Sequence, residues 1–331
     1  LMMPIPNGRY ILEESMGDKE HRYILWYDEM EGADYPVVGK KNSNLGEMIK
    51  AGIPVSHGFA ITIYANDQFL ILTGIKAEIE KQIVSLGQVN YETAKQASTI
   101  AMGLIENAPM PEILEREILD NYRKLCQKAC IDRCPVAVRS SGAVSMPGQM
   151  ETYMNIFGEK DLIDYIKKCW ASAYNTEAIM YRMNKGMPFL FNIGVGIPKM
   201  VNSRVSGIIF TINPINGDPS KISIDASYGL GEAVVSGLVT PDTYLIDKVT
   251  FDLLKTVIGS KETQCVYRDQ GSDIVQKDVP EEKRSVACLS PLEIKELARI
   301  GKLIEQYYGQ AYDIEFGIDA DFPFPENIII L

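Results

Sequence analysis

The chain has 331 residues, 46% of them hydrophobic and 23% charged, which is usual for a globular protein of one large or two modest domains. Its 33 basic and 44 acidic residues give a formal net charge of −11, which argues against binding to nucleic acid or to a membrane surface. No window approaches the roughly 18 uninterrupted apolar residues of a membrane helix, and no signal-peptide pattern opens the chain. We therefore expect a cytoplasmic protein.

Two strands and a helix are predicted at the start of the chain, after an added arm or hairpin at residues 1–21. Apolar and aromatic residues favour strands at Arg22–Tyr27 and Ser56–Thr62. The helix between them would begin at a cap on Asn42 or Ser43 and end before a glycine.

A long helical region follows the second strand and reaches Cys134. Its apolar stripe from Ile113 to Leu125 is interpreted as core. Cys126, Cys130 and Cys134 recur every fourth residue, so at least the first two would share one helix face. No histidine lies near them, and we therefore expect small, buried, reduced thiols rather than a metal site.

The segment from Val136 to Thr152 joins a buried strand to a loop rich in small residues and hydroxyls. The strand ends in Arg139, whose guanidinium can bind phosphate oxygens. Gly142 and Gly148 let backbone N–H groups approach an anion closely, and the threonine adds a hydroxyl. This order of parts is typical of polyphosphate binding. The alternative is a surface loop with an unrelated arginine.

A second cationic segment lies at Val37–Met48. Lys40 and Lys41 come directly before a predicted helix N-terminus, where free N–H groups and the helix dipole favour anions. Two solvated loop lysines are the alternative.

The second half of the chain changes in character. Helices are predicted at Asp161–Tyr174 and Thr176–Lys185, and short β-rich runs follow from about residue 190. The charged stretch Asp269–Ser285 is interpreted as a surface loop. The other elements predicted in this half are strands at Val205–Ile212, Ile222–Ala226, Thr243–Ile246, Gln264–Tyr267, Tyr312–Ile318 and Asn327–Leu331, with a helix at Pro291–Tyr308.

Two sets of carboxylates in this half could bind a ligand. Glu232 lies in the glycine-rich turn Ala226–Gly237, where it could accept from a ribose hydroxyl or hold a metal; an exposed glutamate in a tight turn is the alternative. Asp313, Glu315 and Asp319 alternate along a strand and would project from one face. A carboxylate on a rigid strand suits Mg²⁺, although the strand could simply be half exposed.

Several motifs are missing from the sequence. Its only histidines are His21 and His57, and neither has an acid–base neighbourhood. It contains no Gly-x-x-x-x-Gly-Lys-Ser/Thr loop and no Gly-x-Ser-x-Gly elbow. An ATP site without its own nucleophile would pass phosphate to another group.

Taken together, these segments resemble the N-terminal ATP-grasp domain of the phosphoenolpyruvate synthase and pyruvate phosphate dikinase family. Rifampin phosphotransferase and the ATP subunit of phenylphosphate synthase belong to the same group. The resemblance begins at about Tyr23 and covers nearly the whole chain. Besides Val136–Thr152, it rests on Gly39–Met48, Gly52–Thr62, Trp170–Ser172, Val205–Pro214, Ala226–Gly237, Pro241–Tyr244 and Asp313–Glu315.

The resemblance implies an α+β ATP-grasp fold. A helix-rich N-terminal lobe would occupy residues 1–190 and a sheet-rich C-terminal lobe residues 191–331, with the ATP site between them. Lys41 and Arg139 would be catalytic and contact the ATP phosphates, and Glu315 would be the magnesium ligand. The full set of expected ATP-binding residues is Lys41, Arg139, Gly142, Gly148, Thr152, Lys199, Met200, Glu232 and Glu315.

The sequence departs from the family pattern at three places. Lys40 stands where the family often has a second glycine, and Lys41 is favoured as the phosphate lysine. Pro198 precedes Lys199 and Met200 where a glutamine usually lies beside adenine, so base recognition would rest on backbone groups. The chain stops at Leu331, before the family's Gln-x-Arg-Pro motif, which we interpret as a truncation.

The family reaction transfers a phosphoryl or pyrophosphoryl group from ATP, with Mg²⁺, to a histidine on a swivelling domain and releases AMP. The resemblance thus implies a histidine-bearing partner subunit or domain that binds a small acceptor. The acceptor would be phenol, as in phenylphosphate synthase, or pyruvate, as in phosphoenolpyruvate synthase. The alternatives are an excised domain of a single-chain synthase or rifampin-type phosphotransferase, and a non-catalytic nucleotide-sensing module.

Overall fold

The computed structural model describes residues 19–86, 90–144, 151–268 and 274–331, with the backbone alone for residues 82–86. No helix within these ranges is both long and apolar enough to cross a membrane.

The described chain divides into two compact units. The first contains the residues up to Glu47 together with His57–Lys199. The second contains Met48–Ser56 together with Met200–Leu331. The expected division into domains at residue 190 stays a prediction.

A five-stranded antiparallel sheet lies in the first unit. Its strands are β1 (Ile24–Trp26), β2 (Gly58–Ile61), β3 (Val136–Ser141), β4 (Thr152–Ile156) and β5 (Gly194–Pro198). They lie in the order β1-β2-β5-β3-β4. Every residue of β2 and β5 is buried, so the middle of the sheet is covered on both faces.

Helices cover this sheet. Among the described residues they are α1 (Tyr35–Val38), α2 (Lys40–Lys50), α3 (Ile63–Leu72), α4 (Ile75–Leu86), α5 (Tyr91–Asn107), α6 (Glu112–Lys128), α7 (Glu159–Ser172) and α8 (Thr176–Asn184). Thr62 caps α3, because its hydroxyl accepts from Ala65 N–H at 3.1 Å. The predicted stripe is core on α6, where Leu114, Ile118 and Leu125 are buried, whereas Ile113 is exposed.

The start of α2 differs from the prediction. The helix begins at Lys40, so Asn42 and Ser43 lie in its first turn and are not caps. Asn42 Nδ2 instead donates to Val38 O at 2.8 Å, and Ser43 Oγ donates to Lys40 O at 3.1 Å. The physical reason is Gly39, whose φ of 81° turns the chain between α1 and α2.

A six-stranded antiparallel sheet lies in the second unit. Its strands are β6 (Ser203–Phe210), β7 (Lys221–Tyr228), β8 (Asp242–Asp247), β9 (Leu253–Val257), β12 (Asp313–Asp319) and β13 (Ile328–Ile330). They lie in the order β13-β12-β6-β7-β8-β9, and β10 (Thr263–Tyr267) pairs separately with β11 (Ile274–Asp278). The helices of the second unit are the short α9 (Glu232–Val235) and α10 (Glu281–Arg284) and the long α11 (Pro291–Tyr308).

Helix α11 has the boundaries that the sequence predicts. Ser290 Oγ accepts from Glu293 N–H at 3.3 Å, and Glu293 Oε2 accepts from Ser290 N–H at 2.8 Å, which makes a capping box. Gly309 ends the helix at φ 75°. The buried face of α11, including Leu297 and Ile304, packs with the apolar face of the sheet into one core.

Two predictions for the second half need correction. The stretch Asp269–Ser285 contains β11 and α10 in its described part, so it is not simply a loop. The alternation along β12 breaks at a bulge between Ile318 and Asp319. As a result Asp319 is buried, while Asp313 and Glu315 are exposed.

A buried ion pair lies in the core of the second unit. Asp242 and Lys261 are both 0% exposed, and Lys261 Nζ donates to the carboxylate. The same carboxylate accepts from the N–H groups of Gly259 at 2.9 Å and Cys288 at 2.8 Å and from Tyr244 OH at 3.1 Å. Each carboxylate oxygen thus has donors, which buried charge requires.

The cysteines near the end of α6 also differ from the prediction. The helix ends at Lys128, so Cys126 and Cys130 do not share a helix face. Cys130 lies beyond the end at φ 54° and is exposed, whereas the other five cysteines are buried. All six are free thiols.

Candidate functional site

The N-terminus of α2 is bound to the end of β3 in the first unit. Lys40 N–H donates to Gly142 O at 3.0 Å, and Asn42 N–H donates to Ser141 Oγ at 3.2 Å. A Cβ at Gly39 would lie 2.0 Å from Ser141 O, so only glycine permits this contact. The junction fixes the helix that carries Lys41 on the strand that carries Arg139.

Arg139 lies on the exposed part of β3, between two strands. It is paired with Thr152 of β4 on one side and with Gly196 of β5 on the other. A Cβ at Gly196 would lie 2.4 Å from Asn42 Oδ1. The start of α2 therefore packs on the sheet beside Arg139, which brings Lys41 to the same region.

The electrostatics agree with this placement. Desolvation is the main cause that lowers the pKa of the Lys41 ammonium, and the Arg139 guanidinium lowers it further. Within the described ranges, no carboxylate lies within ion-pair distance of either cation. Two neighbouring cations of this kind favour the binding of an anion between them.

Two buried side chains next to this site were missed by sequence reasoning. Burial raises the pKa of Tyr27, and Arg139 acts against that rise. The Tyr27 hydroxyl lies 2.9 Å from where a Cβ of Gly196 would be, so it lies next to this part of β5. Burial likewise raises the pKa of the Cys169 thiol, which Lys41 counteracts. Neither residue has a motif that could have revealed it, because both reach the site only through packing.

The three loop residues that the sequence predicts near phosphate differ in where the structure places them. Gly142 contributes its carbonyl to the junction, as an acceptor from Lys40. Thr152 was expected in a phosphate loop but begins β4, exposed and opposite Arg139. The pairing with β3 accounts for this difference. Gly148 lies outside the described residues.

Lys199 and Met200 lie at the change from the first unit to the second. Lys199 is 2% exposed, and its N–H donates to His57 O at 2.8 Å. That N–H is therefore already engaged within the first unit. The expected role of Lys199 and Met200 beside the base stays a prediction.

The second unit presents carboxylates on the sheet face that does not contact α11. Glu315 on β12 is paired with Ile208 on β6, and Ile208 is paired with Asp225 on β7. Directly paired residues of antiparallel strands project to the same side, so Glu315 and Asp225 share this face. Thr243 Oγ1 donates to Asp225 Oδ1 at 2.7 Å.

Glu232 lies on the same side of the sheet, at the start of α9. A Cβ at Gly231 would lie 3.7 Å from the Cβ of Ser206, which projects to the same side as Ile208. Glu232 is exposed, and its charge adds to the effect of burial in raising the pKa of Cys265 on β10. The glycine-rich turn therefore leads from β7 into α9 and leaves Glu232 exposed, on the same side of the sheet as Glu315.

Two serine hydroxyls on this face were also missed. Ser206 on β6 is paired directly with Ser227 on β7, and both hydroxyls are buried without a hydrogen-bond partner. Buried hydroxyls of this kind normally have partners. The alternation of Ser223, Asp225 and Ser227 along β7 was the signal in the sequence, because it marks a polar face.

The described carboxylates fit only one kind of metal site. No group of three or more His, Cys, Asp or Glu among the described residues could hold a metal ion. Mg²⁺ usually needs only one or two carboxylates when substrate phosphates supply the other oxygens. Glu315 and its neighbour Asp313, both exposed, fit a metal that arrives with a nucleotide.

The family model described as "Pyruvate phosphate dikinase, AMP/ATP-binding domain" matches residues 35–331. The chain belongs to this family. The matched range contains Lys41 and Arg139 of the first unit and Glu232 and Glu315 of the second.

Curated relatives support the family assignment. The chain is 38% identical over 341 residues to a probable phosphoenolpyruvate synthase of Staphylothermus marinus, covering 95% of the chain and 41% of that protein. It is 40% identical over 304 residues to one from Archaeoglobus fulgidus, covering 90% and 40%. With one from Methanothermobacter thermautotrophicus it shares 36% over 315 residues, covering 93% and 46%. The chain thus spans less than half the length of these relatives.

Proposed function

We propose that this chain is the ATP-binding part of a dikinase-type phosphotransferase. It would transfer a phosphoryl or pyrophosphoryl group from Mg-ATP to a histidine on a partner subunit or domain and release AMP. The observation that carries the proposal is the meeting of Lys41 and Arg139 beside the α2 N-terminus, without a carboxylate at ion-pair distance among the described residues. Membership of an AMP/ATP-binding domain family supports ATP as the ligand.

In the proposed reaction Lys41 and Arg139 hold the phosphate oxygens and offset the charge that moves during transfer. Phosphoryl transfer depends mainly on such positioning and charge stabilisation. The bond from the α-phosphate's bridging oxygen to the β-phosphorus breaks, a phosphorus–nitrogen bond to the histidine forms, and AMP leaves. Water or a second acceptor then takes the terminal phosphate. Bound Mg²⁺, with Glu315 as a ligand, would neutralise phosphate charge.

The other expected contacts are part of the same proposal. Gly142, Gly148 and Thr152 would lie near the phosphates, and Lys199 with Met200 would lie near the base. Glu232 would contact the ribose or a metal. The polar face that carries Glu232 and Glu315 supports their assignment to one ligand.

For the final acceptor we favour pyruvate, because the relatives are named phosphoenolpyruvate synthases. Phenol, as in phenylphosphate synthase, and a rifampin-type acceptor are the alternatives. The acceptor would bind to the histidine-bearing part of the enzyme.

The deciding experiment measures AMP formation from Mg-ATP by the purified chain, alone and with the histidine-bearing domain of the same enzyme. We expect AMP only in the mixture, together with an acid-labile phosphohistidine on the partner. Tight ATP binding without AMP under every pairing would instead favour a nucleotide-sensing module.

A further inference from the structure

The turn between α6 and β3 contains an unusual group of thiols beside a cavity of about 620 Å³. Cys126 and Cys130 both line this cavity, together with the cations Arg123 and Arg133. Cys126 is 6% exposed, while Cys130 is the exposed cysteine of the chain. An oxidant in solution can therefore reach Cys130 and, through the same cavity, the thiol of Cys126.

The end of the helix holds these two cysteines close. Cys130 N–H donates to Gln127 O at 3.1 Å, and Ile131 N–H donates to Cys126 O at 3.0 Å. Cys130 lies beyond the end of the helix and does not share a face with Cys126, so the hydrogen-bonded turn from Cys126 to Ile131 is what keeps the two residues near each other. A disulfide has Cβ atoms about 3.5–4.5 Å apart, so its formation includes a movement of the exposed chain at the end of the helix.

The backbone conformation of Cys130 is also unusual for a residue with a side chain. Its φ of 54° lies in the left-handed region, where helices normally place glycine. A thiol therefore occupies a position that disfavours a side chain.

We propose that Cys126 and Cys130 form a reversible disulfide when a peroxide oxidises the exposed thiol of Cys130. Hydrogen peroxide converts the Cys130 thiol to a sulfenic acid and water. The Cys126 sulfur then attacks the sulfenic sulfur, a second water leaves, and the disulfide forms. A dithiol reductant returns both thiols.

The disulfide would act on the start of β3. In the reduced protein Cys126 Sγ accepts from the buried N–H of Cys134 at 3.3 Å. Movement of that sulfur toward Cys130 weakens this bond, two residues before β3 begins at Val136. An effect on ATP binding through Arg139 would follow, and this consequence alone rests on the proposed function.

Peptide mapping tests the disulfide without reference to ATP. Trypsin cuts after Lys124, Lys128 and Arg133, so the three thiols fall in separate peptides: Leu125–Lys128, Ala129–Arg133 and Cys134–Arg139. The chain is treated with hydrogen peroxide, its remaining thiols are alkylated, and the digest is analysed by mass spectrometry. We expect the first two peptides to be linked, with loss of the link on addition of dithiothreitol.

Three variants make the result specific. Cys134→Ser should keep the link, and Cys130→Ser, an exposed change, should abolish it and leave Cys126 free. Cys126→Ser should let Cys130 proceed to sulfinic and sulfonic acids. Linkage of Leu125–Lys128 to Cys134–Arg139, or over-oxidised Cys130 beside a free Cys126 in the unaltered chain, would overturn the proposal.

Discussion

At the scale of single residues, the first unit brings two cations together against their mutual repulsion. The pKa of Lys41 is lowered as a result, with desolvation as the larger cause and the charge of Arg139 as the next. Such a pair is stabilised when an anion binds between its members. In the proposed site, bound phosphate would relieve this repulsion.

Removal of either cation tests its role in transfer. We expect Lys41→Ala and Arg139→Ala each to lower the rate of AMP formation by roughly 10²–10³-fold, about 2.7–4 kcal/mol, because each removes one positioned donor. Lys40→Ala is the matched control, since it removes the adjacent exposed charge and keeps the backbone bond to Gly142. Equal losses in Lys40→Ala and Lys41→Ala would contradict the assignment of Lys41.

The lowered pKa of Lys41 also predicts a pH dependence. Because the ammonium loses its proton below the ordinary lysine value of 10.5, ATP affinity should begin to fall at a lower pH than a normal lysine would cause. In the free protein the sign is opposite: this group favours folding more as the pH rises from its lowered pKa toward 10.5. Nucleotide titrations between pH 7.5 and 10 check the affinity. The Lys41→Arg variant, whose guanidinium does not titrate there, should show a flatter profile.

At the scale of elements, the junction between α2 and β3 depends on one glycine. Gly39→Ala would place a Cβ 2.0 Å from Ser141 O at φ 81°. We expect a loss of at least about 3 kcal/mol in the free energy of unfolding, from backbone strain and overpacking together. Gly74→Ala is the control, because Gly74 has a similar φ of 75° and no atom within 4 Å, and it should lose only about 1–2 kcal/mol. Urea unfolding measures both, and similar losses would show that the contact has little weight.

The residues that follow α6 and α11 allow two opposite substitutions to be compared. Cys130 and Gly309 both follow their helices in left-handed conformation, at φ 54° and 75°. Cys130→Gly should raise the free energy of unfolding by about 1–2 kcal/mol, and Gly309→Ala should lower it by a similar amount. Thermal melts under reducing conditions compare them. A loss of stability in Cys130→Gly would mean that the thiol contributes packing that outweighs the strain.

Local signals explain which elements the sequence could predict. The boundaries of α11 were confirmed because Ser290 and Gly309 determine them through contacts within a few residues. Strand β9 was missed because Leu253–Val257 is exposed at every position and so has no buried alternation. Strand β4 was missed because the pairing of Thr152 with Arg139 depends on a partner outside the local segment.

The candidate site was likewise predictable only where the signal is local in the sequence. A sequence pattern could indicate Lys41 and Arg139 as cations near a helix start and a strand end. It could not show that they meet, because the contact of Gly39 with Ser141 joins residues about a hundred positions apart. The buried serine pair Ser206 and Ser227 likewise depends on strand register.

At the scale of the whole molecule, the second unit has a charged centre. Lys261→Ala would leave Asp242 buried and without its cation, which costs about 3–5 kcal/mol of unfolding free energy. Hydrogen exchange of the β8 amides should accelerate accordingly. Lys221→Ala is the control, because its pair with Asp247 is screened by solvent, so its loss should leave the exchange of the β8 amides nearly unchanged. An unchanged exchange rate in Lys261→Ala would show that water replaces the lysine.

The second unit also includes the segment Met48–Ser56 from early in the chain. Ile53 lies in the core of this unit, and Val55 forms a parallel β-bridge with Ile330. Ile330 N–H donates to Pro54 O at 2.9 Å. During synthesis, at about 5–20 residues per second, this piece leaves the ribosome long before its partners are made. The apolar residues 53–55 must wait through the translation of nearly the whole first unit. Until Ile330 emerges its pairing with Val55 and Pro54 cannot form, so this unit completes its fold only after β13 has been translated.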